Sequence, residues 1–94
     1  MGYRFTLYVT GVTPRSASAI EHLRRICEER LSPDEYRITV VDVSDAVEEA
    51  NAARILVTPT VVRTQPPPVL RVLGDLSAAT ETADALGLPG PPTR

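Results

Sequence analysis

The sequence predicts an α/β domain: a parallel strand-helix-strand unit, a short second helix, an antiparallel hairpin and a closing helix. Three observations carry that expectation. Apolar residues alternate with period two at the start of the chain, shift to spacings of three and four from Ala17 to Leu31, and return as a β-branched run after Tyr36. The first and second strand patterns are separated by about two dozen residues, enough for a helical crossover that brings the chain back parallel to itself. Beyond Pro59, two short strand patterns are joined by only Gln65-Pro66-Pro67-Pro68, a link that suits an antiparallel pair.

Each element has its own warrant. From Arg4 to Thr10, Phe5, Leu7 and Val9 alternate with Arg4, Thr6 and Tyr8, the pattern of a half-buried strand. Gly11-Val12-Thr13-Pro14 turns the chain; Thr13 is a capping residue, and Pro14 fits the first helical position, where a missing N–H costs nothing. Ala17, Ile20, Leu23, Cys27 and Leu31 mark the apolar stripe of a helix that ends near Leu31, before Ser32-Pro33-Asp34. Ile38, Val40, Val41 and Val43, within Tyr36 to Val43, predict a second strand apolar enough for the middle of a sheet. Ser44 is placed to cap a second helix reaching Ala53, with Val47, Ala50 and Ile55 as its apolar side. Thr58-Pro59 imposes extended backbone before a strand at Thr60 to Thr64 and its partner at Val69 to Leu73. Ser77 is placed to cap a third helix, Ala78 to Leu86, that buries Ala79, Ala83 and Leu86 and stops at Gly87 and Pro89. Residues 1–88 are therefore expected to form a single domain, and 89–94 an unstructured tail. The order β-α-β-α-β-β-α is the thioredoxin-like arrangement. In such folds a cis-proline commonly opens the hairpin, and Thr58-Pro59 stands at that place.

Composition narrows function. With 43% hydrophobic and 23% charged residues, the 94-residue chain has the makeup of one packed domain and is too short for a two-domain enzyme. Ten basic against 12 acidic residues, a net charge of −2, provide no domain-wide positive field for nucleic acid or an anionic membrane. Proteins or small molecules are the expected partners. Every basic residue is arginine, which excludes Schiff-base and phosphate-loop lysine chemistry. One cysteine and one histidine can form neither an internal disulfide nor a four-ligand zinc site. No apolar run approaches the roughly 20 residues of a membrane span, and Met1-Gly2-Tyr3-Arg4 lacks a signal peptide's apolar stretch. The expectation is a cytoplasmic protein without cofactor or metal.

The chemistry is notable for what is missing. Thioredoxin-like redox enzymes hold a dithiol at the start of the first helix, where the helix N-terminus stabilises a thiolate. Here that place reads Gly11-Val12-Thr13-Pro14-Arg15-Ser16. Cys27 falls on the apolar stripe as a buried structural thiol, and His22 beside it reads as a solvated helix residue. Asp42, near the end of a strand, is either a functional side chain or the cap of the following turn. Ser16 and Ser18 have no paired His and Asp, so no catalytic constellation forms and binding is left as the activity. The least ordinary segment for it is Ile55 to Gly74, where a triple proline stiffens the hairpin and leaves little entropy to lose on binding.

In Leu7-Tyr8-Val9-Thr10-Gly11 with Thr13-Pro14, Val41-Asp42-Val43, Thr58-Pro59-Thr60, Pro66-Pro67-Pro68 and Leu73-Gly74-Asp75-Leu76-Ser77, the chain resembles the KaiB family of bacterial circadian-clock proteins over about residues 4 to 77. The resemblance implies a non-enzymatic timing protein that binds the hexameric clock ATPase KaiC, competes with the output kinase and sequesters the activator KaiA. It also implies metamorphism between a ground-state fold, usually tetrameric, and a monomeric thioredoxin-like fold that binds the ATPase. By position, the family's partner surface falls on Tyr36, Arg37, Ile38, Arg54, Ile55 and Pro59.

After Ser77 the chain departs from the family pattern. The ground-state fold places a strand where this sequence has Thr82-Ala83-Asp84-Ala85-Leu86-Gly87-Leu88-Pro89, a poor strand and a fair helix. The thioredoxin-like fold, and with it a monomer, is therefore expected as the resting state. Pro59, Ala83, Ala85 and Gly87 are the positions on which the balance turns, and the tetrameric ground-state fold is the alternative. Two rival functions remain: a KaiB-like signalling or stress adaptor for another protein such as a histidine kinase, and, from fold alone, a thiol oxidoreductase.

Overall fold

The computed structural model describes residues 2–90; Met1 and residues 91–94, the greater part of the expected tail, lie outside the described residues. The elements are β1 (Tyr3–Val9), α1 (Pro14–Arg30), a 3₁₀ turn (Pro33–Glu35), β2 (Tyr36–Asp42), α2 (Val47–Ala52), β3 (Thr60–Gln65), β4 (Leu70–Leu73) and α3 (Ala79–Ala85). One four-stranded sheet has the order β2-β1-β3-β4. β1 runs parallel to β2, Phe5 beside Ile38 and Leu7 beside Val40, and antiparallel to β3, Leu7 beside Val61. The hairpin closes with Val61 opposite Val72. This is the expected β-α-β-α-β-β-α arrangement.

The core lies on the face covered by α1 and α3. Phe5, Leu7, Val9 and Val61 from the sheet meet Ala19, Leu23, Ile26 and Cys27 from α1 and Ala83 and Leu86 from α3. Burying each of the larger apolar side chains contributes about 1.5–3 kcal/mol. Arg71, on the face opposite the core residue Val72, donates to Ala53 O at 2.9 Å and Arg54 O at 3.1 Å. That pair ties the end of α2 to the second face, over the buried Thr60 and Val62.

Four local expectations are corrected. β2 is an edge strand, not a central one: the hairpin docks on the far side of β1 and leaves Val40 44% exposed. The buried stripe of α1 is Ser16, Ala19, Leu23, Ile26 and Cys27, with Ala17 exposed and Ile20 half-buried. Ser16 tolerates burial because its hydroxyl donates to Thr13 O while accepting from Thr13 N, the reciprocal half of the cap in which Thr13 Oγ1 accepts from Ser16 N. Neither Ser44 nor Ser77 caps a helix. Asp42 and Asp75 take the Ser44 and Ser77 amides into side-chain turns, so α2 and α3 start later, behind Ala46 and Ala78, which have no side-chain cap. The later start also leaves Ala79 exposed, while Ala83 and Leu86 are buried as expected.

Candidate functional site

Three loops meet at one end of the sheet, where β1 and β2 finish and β3 begins. The first leaves β1 through Gly11, whose φ of +69° lies in the left-handed region that glycine adopts without strain. Asp42, the last residue of β2, reaches across to it. Its Oδ1 accepts from Gly11 N at 3.1 Å and from Ser44 N at 2.9 Å, so one carboxylate serves both the first loop and the second. Of the two readings of Asp42 the structure shows the turn cap, and the same carboxylate also reaches a neighbouring loop. The Gly11 amide, then that of Ser44, holds this carboxyl below its ordinary value of 3.8. The third loop, between α2 and β3, is joined to the first by a 2.7 Å hydrogen bond between the hydroxyls of Thr10 and Thr58. The Thr58–Pro59 bond is cis, Pro59 is buried, and Thr60 Oγ1 donates to Val57 O at 2.7 Å.

Each loop carries apolar side chains into solvent. Val12 is fully exposed on the first, Val47 is 57% exposed just after the second, and Leu56 (92%) and Val57 stand out from the third. A shallow cavity of about 310 Å³ is lined by Val47, Leu56 and Val57 together with Thr10, Val43 and Ile55, while Val12 stands outside it. Exposed apolar residues grouped around a cavity make this end the candidate interaction surface.

Of the expected partner residues, the structure brings Arg54, Ile55 and Pro59 to this end. Tyr36, Arg37 and Ile38 begin β2 at the other end, about 13–20 Å from Asp42 at 3.3 Å per residue. There Tyr36 and Ile38 pack against the core, and Arg37 is exposed beside Arg4 of β1. Sequence reasoning missed Val12, included Leu56 and Val57 only within the wider segment Ile55 to Gly74, and read Val47 as the apolar side of the helix it does begin. The signal for Leu56-Val57 was available: an apolar pair outside any strand or helix period, directly before Thr58-Pro59.

The positions expected to set a balance between folds are dispersed. Ala83 is buried in the core and Ala85 is exposed on α3. Gly87, at φ +69°, lies where a Cβ would come within 2.8 Å of Arg63 Nη1. Arg63 itself, 5% exposed, donates to Leu86 O at the end of α3 and to Pro68 O in the hairpin loop, with its guanidinium 5.9 Å over the Tyr3 ring.

At the start of α1, the position of a redox dithiol holds the Thr13 cap. Cys27 is buried, and burial, with a smaller contribution from Glu28, pushes its thiol up to about 12. His22 is not simply solvated: it is half-buried, and its Nδ1–H donates to Asp75 O at 2.7 Å, tying α1 to the segment before α3. Among the described residues no group of three His, Cys, Asp or Glu side chains could hold a metal ion, and no helix is long and apolar enough to cross a membrane.

Comparison with known proteins fits this geometry. The family model of the KaiB domain matches residues 6–88. Circadian clock protein KaiB3 of a Synechocystis species is 42% identical over 71 residues, 76% of this chain and 69% of that protein. The circadian clock oscillator protein KaiB of Prochlorococcus marinus is 44% identical over 75 residues, 80% of this chain and 62% of that one. Among solved structures, the N-terminal domain of Synechococcus elongatus SasA superposes with a TM-score of 0.76 at 19% identity, covering 93% of this chain and 85% of that domain. A chloroplastic thioredoxin z gives 0.71 at 20% identity, over 92% and 76% of the two chains. The two structural likenesses speak to the fold and establish it as thioredoxin-like, while the family match and the clock relatives show that the chain belongs to the KaiB family.

Proposed function

We propose that this protein is a non-enzymatic, cytoplasmic clock component that binds a KaiC-type hexameric ATPase, and that it rests in the thioredoxin-like, binding-competent fold as a monomer. The observation that carries the reading is the loop end of the sheet. There Val12, Val47, Leu56 and Val57 stand exposed on a frame whose redox position holds a threonine cap in place of a thiol. A surface built for docking and lacking a nucleophile supports recognition of a protein rather than turnover of a substrate. Family membership supports the ATPase as the partner, with a KaiA-like protein as a further one. The helix α3, found where a ground-state fold would require a strand, supports the resting state.

The test is co-elution with a KaiC-type hexamer on size exclusion, sampled within minutes of mixing and again after a day. Complex formation within minutes is the expected outcome. A complex seen only after a day would overturn the resting state while keeping the partner. No complex at either time would overturn the ATPase and leave the surface to another protein.

A further inference from the structure

The exposed apolar side chains at the loop end belong to two loops and to the first turn of α2, and a 2.8 Å backbone hydrogen bond from Val43 N to Val9 O ties the ends of β2 and β1 beneath them. Two polar side-chain contacts extend that tie to the loops themselves. The Asp42 carboxylate is shared between Gly11 N and Ser44 N, so one side chain joins the loop carrying Val12 to the turn leading to Val47. The Thr10 and Thr58 hydroxyls join the first loop to the one carrying Leu56 and Val57. We infer that Asp42 is the positioning residue of the docking surface, with the Thr10–Thr58 pair as its counterpart on the third loop.

The physical basis is preorganisation. A surface assembled from independent loops must order them on binding, and the entropy of that ordering subtracts from affinity. Asp42 makes the arrangement before the partner arrives. It also satisfies two backbone donors that its removal would leave without a protein partner. Asp42 need not touch the partner; it acts through the loops that do.

This inference rests on the proposed binding to a KaiC-type hexamer, and the experiment separates the two. Binding of the wild-type chain, Asp42→Ala and Asp42→Asn to the hexamer is measured alongside amide hydrogen exchange at Gly11 and Ser44 in the free proteins. Asp42→Ala is expected to bind about tenfold more weakly, with both amides exchanging faster. Asp42→Asn, which keeps an acceptor oxygen in place, is expected to restore affinity to within about twofold. Unchanged affinity or unchanged amide exchange in Asp42→Ala would overturn the inference, as would an Asn variant as weak as the Ala variant. If Asp42→Ala does not fold, Thr10→Val takes its place, with an expected loss of about threefold; full affinity in that variant would overturn the role of the pair. A wild-type chain that fails to bind overturns the partner, and the amide exchange then decides the bracing.

Discussion

Arg63 is the residue whose position asks most of the fold. It is a permanent cation, 5% exposed, without a carboxylate against it, held by two carbonyl oxygens and an aromatic face, and its Nε has no hydrogen-bond partner. Burying a charge this way is costly, and what offsets it is specific: Leu86 O lies at the negative end of α3, where a cation is favoured. Arg63→Ala should destabilise the protein by about 3 kcal/mol, because it opens a cavity and leaves both carbonyls unpaired. Arg63→Met should recover part of that loss by refilling the volume without the charge. Denaturant unfolding with an unchanged slope checks both, and equal losses in the two variants would show that packing contributes nothing. Nothing in the sequence marks this arginine, because Thr60 to Gln65 reads the same whether position 63 faces solvent or core. Its face is set by register: Arg63 pairs with Phe5 in the same unbroken ladder that pairs Leu7 with Val61, and the irregularity comes only beyond it, where Arg4 meets Gln65.

At the scale of elements, what was legible follows from how local each signal is. The alternation in β1, the Thr13-Pro14 start of α1 and the proline-linked hairpin are written within a few residues, and they stand as expected. The edge position of β2 was not legible, because Ile38 to Val43 is equally apolar whether a neighbouring strand or a partner covers it. The buried face of α1 was ambiguous, since two stripes share Leu23 and Cys27, and only the reciprocal Thr13–Ser16 bonds make a buried serine acceptable. The late starts of α2 and α3 reflect Asp42 and Asp75 drawing the Ser44 and Ser77 amides into turns, which takes both serines out of the capping position. For the candidate site, Arg54, Ile55 and Pro59 came from the family resemblance and not from a local signal, and the structure places them at the loop end, whereas Val12 stands at that end only through the fold. For α3, secondary chemical shifts in the free protein should be helical over 79–85. Strand values over 82–88 would overturn the resting state proposed above.

For the whole molecule, titration sets the pH range over which the fold holds. Asp42 and Asp75 both have carboxyl values below 3.8 in the folded state, the latter through the Ser77 amide and then its hydroxyl. Their stabilising effect is complete above the unfolded value and is lost as pH falls through the lowered folded one. Cys27 acts with the opposite sign: its thiol, raised from 9.0 to about 12, stays protonated while the unfolded chain ionises, so stability declines as pH rises past 9.0. Thermal midpoints should thus be level through neutrality and fall on both sides. Cys27→Ala should flatten the alkaline limb and Asp42→Asn should make the acid limb shallower. An alkaline limb unchanged in Cys27→Ala would assign it to other groups.

The place of β1 in the sheet has a consequence for how this chain is made. β1 leaves the ribosome before both of the strands that flank it, and its pairing with β3, which sets Phe5 beside Arg63, waits for the whole of α1, β2 and α2. A nascent chain halted before Thr60 carries a βαβ unit whose central strand is open along one side, displaying the unpaired groups that invite other extended chains. Synthesis through the hairpin closes that side, so the domain is most vulnerable in the interval between the emergence of β2 and that of β3.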